Sequence, residues 1–161
     1  MLNEVDLGHL RRAIALARSA RDHGNHPFGA LLVSAEDQVL AEAENSVVTS
    51  RDCTGHAELN LVRLASTNHD QEALEGSTLY TSTEPCAMCA GAIYWSGIRK
   101  VVYGLSEDRL YTLTGADRSS EAMRLPCREL FASCGRSIAV DGPALDAEAE
   151  EVHLGFWKTG V

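Results

Sequence analysis

A chain of 161 residues suits a single domain, 1–161, with a core of its own, and its 45% apolar and 23% charged content is that of an ordinary globular protein. No apolar run reaches the ~20 residues that a membrane span requires. The net charge of −9, with 14 basic against 23 acidic residues and only two lysines (Lys100 and Lys158), lacks the positive face that phosphate backbones call for, so a small or neutral ligand is expected rather than nucleic acid.

The N-terminal stretch "MLNEVDLGHLRRAIALARSARDHG" has neither the basic start nor the long apolar middle of a signal peptide. It reads as an amphipathic helix over 4–23, with Leu7, Leu10, Ile14, Leu16 and Ala17 near one face and Gly24 as its stop. "FGALLVSA" (28–35) and "QVLAEAEN" (38–45), joined by a short turn at Glu36 and Asp37, read as a β-hairpin. Residues 56–66 have helical spacing, and "STLYTST" (77–83) alternates as a strand. Pro85 opens a helix running to about Trp95, because proline is tolerated in a first turn. "KVVYGL" (100–105) is a strand. A polar loop with a helical fragment over 106–120, a helix over 121–132 and a short strand at 137–140 follow. Pro143 starts a closing helix over 143–158, and its acidic run "ALDAEAEE" is expected to be a solvated face.

Strands alternating with helices imply an α/β fold, a three-layer α/β/α sandwich around a five-stranded mixed sheet. The first two strands should pair antiparallel and the later ones should run largely parallel.

Five cysteines, Cys53, Cys86, Cys89, Cys127 and Cys134, form an odd set without a signal peptide, which points to the cytoplasm and away from a disulfide framework. Two of them lie in "STEPCAMCAGAIYWSG" (82–97). Alone, such a pair fits a redox couple, half of a zinc site or plain core packing. About thirty residues upstream stands "TGHAEL", in which His56 begins one expected helix as Cys86 and Cys89 begin another. One imidazole and two thiolates with an open fourth position make the coordination of a catalytic zinc, not a closed structural one. Glu58 is about 200° around the helix from His56 and is badly placed as a fourth ligand. It is better placed to move protons over the open position. Cys53, three residues before His56, reads as a loop or core residue, and Cys127 and Cys134 as core or incidental.

His-x-Glu followed by Pro-Cys-x-x-Cys is the signature of zinc-dependent nucleobase deaminases. The chain resembles the cytidine deaminase superfamily through "HPFGALLV", "EN", "TGHAE", "LYTSTEPCAMCAGAIYW" and "VVYG", over residues 10–105. It is most similar to the branch of guanine deaminases, tRNA adenosine deaminases and cytosine deaminases. The resemblance implies Zn2+ held by His56, Cys86 and Cys89, Glu58 as the catalytic acid/base, water as co-substrate, a heterocyclic base as substrate and a homodimer. It implies substrate contacts at Asn45 and Phe28, with Trp95 matching an aromatic position of the guanine deaminase branch and Glu84 next to the metal ligands. The C-terminal aromatics His153, Phe156 and Trp157 read as a lid or dimer contact, or as helix packing. Asp108, Tyr111 and Asp117 are further candidates. "PFGA", "AIYW" and the aromatic tail favour guanine, with cytosine and aminotriazines open. The alternative is A-to-I deamination of tRNA, and a remote one is a non-catalytic zinc-stabilised binding module.

Overall fold

The structure, a computed structural model, describes residues 1–116 and 122–157. Helix α1 (Glu4–Asp22) begins at a capping box: the Asn3 side chain accepts from the amides of Val5 and Asp6, and the Asp6 carboxylate accepts from the Asn3 amide. Its buried face is Leu10, Ala13, Ile14, Ala17 and Ala20, with the larger Leu7 and Leu16 only half-buried. Small residues line this face because α1 lies almost against strand β1 (Gly29–Val33). A Cβ at Gly29 would fall 2.4 Å from the Ala17 amide nitrogen, so only glycine fits there.

Strand β2 (Val39–Glu44) forms the expected antiparallel hairpin with β1. A short α2 (Val47–Ser50) leads into α3 (Ala57–Asn68), and α4 (Gln71–Glu75) follows. The two short helices were not expected, since four or five residues carry too little periodicity to register. Then come β3 (Thr78–Thr83), α5 (Ala87–Ser96), β4 (Lys100–Leu105), α6 (Glu107–Thr114), α7 (Cys127–Ala132), β5 (Ala139–Asp141) and α8 (Asp146–Glu151). The sheet order is β2-β1-β3-β4-β5, with β1 antiparallel to both neighbours and β3, β4 and β5 parallel. This is the mixed five-stranded sheet that the alternation of elements implies.

Alternate residues of the strands feed two cores. Ala30, Leu32, Leu79, Val101 and Tyr103 pack with Leu61 and Ala65 of α3, Ile93 of α5 and Phe131 of α7. Leu31, Val33, Tyr80 and Val102 pack with Leu10 and Ala13 of α1, while Leu105 joins Ile14, Ala17, Ala149 and Val152 between α1 and α8. Among the described residues no helix is long and apolar enough to cross a membrane.

Two expected helices are shorter than their patterns suggest. Among the described residues of the stretch expected over 121–132, Cys127–Ala132 is helical and 122–126 is not, because Pro126 restricts the residue before it to extended backbone. Of the helix expected over 143–158, the described residues form it over Asp146–Glu151: Leu145 takes a left-handed φ of 59° at its start, and Gly155 (φ 70°) turns the chain after its end. The acidic run is also not simply solvated. Glu148 pairs with Arg11, Glu151 with Arg18 and Glu150 with Arg109, which links the surface of α8 to α1 and α6, while Ala149 and Val152 pack it into the core.

Candidate metal centre and adjoining cleft

Helices α3 and α5 start side by side. His56 is the N-cap of α3 and Cys86 the N-cap of α5, both in extended conformation, and neither side chain caps its own helix. Both side chains are free to face each other, and Cys89 joins them from the first turn of α5. His56 Nδ1 lies 3.5 Å from Cys86 Sγ and 3.6 Å from Cys89 Sγ, and one ligand atom from each residue lies within 4.8 Å of the others. A tetrahedral zinc with bonds of about 2.3 Å to sulfur and about 2.0 Å to nitrogen separates such donors by about 3.6 Å, so His56, Cys86 and Cys89 fit the ion.

The donor electrostatics agree. A hydrogen bond from Cys89 pushes the Cys86 thiol far down, with further help from His56, and the Cys89 thiol is pushed up because it keeps the proton it lends to Cys86. Contact with Cys86 raises the His56 imidazole. The surroundings of Cys86 thus favour the thiolate that a metal ligand must supply. The positive end of the α5 dipole favours the same state.

Glu58, in the first turn of α3, is 5% exposed, and burial raises its carboxyl above the usual range. It is not part of the three-donor cluster. The Thr81 hydroxyl lies 2.7 Å from Glu58 Oε1 and 3.0 Å from the Thr83 carbonyl. That hydroxyl has one hydrogen for two acceptors. It can donate to an ionised Glu58, or accept from a protonated one while donating to Thr83. Both states of the carboxyl are thus accommodated without moving a heavy atom.

A cleft of about 180 Å³ opens over this centre, lined by Phe28, His56, Glu58, Thr83, Glu84, Cys86, Leu110 and Tyr111. Of the expected substrate contacts, Phe28 and Glu84 reach it. Both carboxylate oxygens of Glu84 are occupied, accepting from the Glu107 amide (3.0 Å) and the Cys127 amide (3.1 Å). Glu84 therefore ties the starts of α6 and α7 to the link between β3 and α5 that leads into the cysteines. Asn45 is buried and accepts from the Val47 amide at 3.1 Å through Oδ1, a turn-forming bond; its Nδ2 donates to none of the described residues. Trp95 is 79% exposed on α5 and does not line the cleft.

His153, Phe156 and Trp157 also lie outside the lining, but they are packed within the same chain. His153 and Trp157 stand against Phe28 with ring centroids 5.4 and 6.1 Å away, and Phe156 packs on His26. The Trp157 indole donates to His153 Nδ1 at 3.1 Å, and burial pushes that histidine down to about 4. The aromatic tail is thus a backing for the cleft wall.

Tyr111 lines the cleft, Asp108 is exposed, and Asp117 lies outside the described residues. Sequence reasoning missed Leu110, Thr81 and the buried Glu107, whose carboxyl is raised to about 7 by burial and by Glu84. Ser106, whose side chain accepts from the Arg109 amide, was the available signal for α6: a capping serine followed by two acids. Cys53 is exposed, Cys127 sits in the core and Cys134 bonds the Leu130 carbonyl, so none of them joins the cluster.

The family profile described as cytidine and deoxycytidylate deaminase zinc-binding region matches residues 3–105. The chain is 44% identical over 160 residues to a probable cytosine deaminase of Schizosaccharomyces pombe, covering 99% of this chain and 96% of the relative. It is 43% identical over 95 residues to a guanine deaminase of Bacillus subtilis, covering 58% of this chain and 60% of that one. A solved structure from a study of A-to-I editing by tRNA:A34 deaminases superimposes with a TM-score of 0.73 at 31% identity, over 91% of this chain and 99% of that one.

Proposed function

The chain belongs to the cytidine and deoxycytidylate deaminase zinc-binding family, and from that premise we propose that it is a single-domain enzyme that hydrolyses the exocyclic amine of a free nucleobase, cytosine first among them, releasing ammonia. The observation that carries this reading is the buried Glu58 carboxyl, which shares a small cleft with the His56–Cys86–Cys89 donor set without belonging to it. A site that only stabilised the fold would have no use for such a carboxyl and would need a fourth ligand.

Zinc, when bound, supplies Lewis acidity that makes water a competent nucleophile near neutral pH. The remaining work falls to the chain. Glu58 takes one proton from the attacking water and gives it to a ring nitrogen of the base, then takes the proton of the newly attached hydroxyl and passes it to the exocyclic amine, so that the C–N bond breaks, the carbonyl forms and ammonia leaves. Burial suits it to this, because it raises the carboxyl above its ordinary range and so makes it a better proton acceptor than an exposed glutamate. Phe28 offers a face for stacking, whereas Asn45, outside the lining, holds the turn before α2 through the Val47 amide.

Cytosine is placed ahead of guanine, the base favoured by the sequence motifs, because similarity to the probable cytosine deaminase spans 99% of the chain. It therefore includes Leu110, Tyr111 and the C-terminal aromatics that shape the cleft. A cleft of about 180 Å³ also suits a free base better than a nucleoside. The deciding experiment is ammonia release by zinc-loaded protein from cytosine, guanine, adenine, their nucleosides and aminotriazines, with inosine formation in tRNA assayed alongside. Cytosine is expected to give the highest kcat/KM. Guanine in first place would redirect the substrate assignment, and inosine in tRNA without release from any free base would overturn it. The unpaired thiols suit a reducing compartment, and we assign the protein to the cytoplasm.

A homodimer is part of the same reading. The α5 segment "AMCAGAIYWS" has no charged residue, and a helix apolar all round is normally buried all round. Its outward stripe of Met88, Gly91 and Trp95 meets no other part of the described chain that buries the Trp95 ring. Replacing Trp95 by Glu is expected to weaken dimerisation about 30-fold or more, the scale of a central aromatic contact. Light scattering across a dilution series would read this, and a wild-type chain that is monomeric at all concentrations would refute the dimer.

A further inference from the structure

We propose that Arg21 of α1 is a positioning residue for substrate binding, fixing the aromatic backing of the cleft through the C-terminal turn; this rests on the nucleobase reading above. Arg21 Nη1 donates to the carbonyls of Val152 and Leu154, each at 2.8 Å, and the guanidinium lies 5.6 Å from the centre of the Phe156 ring. Val152 is the C-cap of α8, whose carbonyl the helix leaves without a partner, and Leu154 lies in the turn that follows. A cation there satisfies them and opposes the negative end of the helix.

The turn held in this way spans His153, whose neighbours on both sides are the two residues Arg21 grips. His153 is 3% exposed, takes the Trp157 N–H on Nδ1, and stacks with Trp157 at an interplanar angle of 15°. Both rings then press on Phe28. Phe28 lines the cleft together with His56 and Glu58. A continuous set of contacts therefore runs from one arginine on the outer helix to the ring face on which a planar base would stack.

Besides the apolar packing of Ala149 and Val152, the charged attachments of α8 are surface ion pairs, Arg11–Glu148, Arg18–Glu151 and Arg109–Glu150, and such pairs contribute little individually. Arg21 differs from them because its acceptors are backbone carbonyls on the turn itself. Truncating it frees the turn and leaves those carbonyls to water. The three metal donors and Glu58 sit on α3 and α5, across the sheet from α1. Loss of Arg21 is therefore expected to loosen the stacking wall and spare the chemistry.

The test compares Arg21→Ala and Arg21→Lys with the wild type, in zinc-loaded full-length protein. For the preferred base, KM should rise about tenfold in Arg21→Ala, the scale of one charge-assisted hydrogen-bond set, with kcat within about threefold and zinc content unchanged. Arg21→Lys, which retains a cation but only a point-like donor, should fall between the two. In a Trp95→Phe background the remaining tryptophan is Trp157, whose emission should shift to the red in Arg21→Ala. A purely structural role would lower Tm and the active fraction without moving KM. An unchanged KM, or an unshifted Trp157 emission in a folded Arg21→Ala protein, overturns the proposal. If the wild type deaminates no base, the functional reading fails by itself, and the emission shift alone decides whether Arg21 holds the aromatic turn.

Discussion

Glu58→Gln is expected to lower kcat by about 10²–10⁴-fold, the range that a positioned acid/base supplies, while the protein keeps its zinc and its fold. The amide is isosteric with the carboxyl, and its oxygen can still accept the Thr81 hydroxyl hydrogen. It cannot take a proton from water or return one to the base. The site also disfavours charge, since burial is the largest influence on Glu58. A neutral side chain suits it at least as well as a carboxylate does, so Tm should hold or rise. Metal analysis, Tm and steady-state ammonia release on one preparation separate these effects. Ammonia release at the native rate from Glu58→Gln would sink the assigned mechanism. A collapse of Tm would mean that Glu58 is a structural member of the α3–β3 packing.

The second large effect is expected from the donor set. Cys89→Ser should weaken zinc binding by more than about 100-fold, because even changes outside the ligand set cost 10–100-fold, and deamination should be lost with the metal. The consequence should extend to stability. Zinc present at about 1,000 times its dissociation constant adds about 4 kcal/mol to the folded state. For a domain of this size that corresponds to roughly 8–16 °C in Tm. Chelation should lower the wild-type Tm by that amount and leave Cys89→Ser unchanged. Cys89 itself is 0% exposed and sits among the α3–α5 packing. Cys89→Ala, which restores an apolar side chain, therefore separates lost ligation from a buried hydroxyl. A wild type indifferent to chelation, or a Cys89→Ser protein with full zinc content, would remove His56, Cys86 and Cys89 from the role of metal holders.

The strands were the most legible part of the fold. "STLYTST" was legible by its alternation and "KVVYGL" as a short β-forming run, and the strands they form, β3 and β4, are parallel neighbours with their first residues, Thr78 and Lys100, in register. Helices α1 and α3 were legible for the matching reason, since their apolar spacing is local and long. In the last quarter of the chain the short strand was legible, as β5, but the bounds of the helices were not. The run "ALDAEAEE" carries helix-forming residues, but its boundaries are set by the left-handed Leu145 at one end and by Arg21 at the other. Its carboxylates are partnered by arginines more than forty positions away. Glu84 was visible as a neighbour of the cysteines, yet its bonds to the amides of Glu107 and Cys127 depend on where the chain returns after two further elements.

The amino-acid sequence by itself determined the donor types and their spacing. An imidazole with a carboxyl two residues on, and two thiols three apart after a proline, bring their chemistry to two helix starts wherever those helices go, because N-terminal geometry is local. Only the tertiary structure decided that the two starts meet, that Trp95 faces outward, and that the aromatic tail backs Phe28 from within the same chain. Those outcomes depend on sheet order and on contacts between residues far apart in the chain, which no periodicity within one segment encodes.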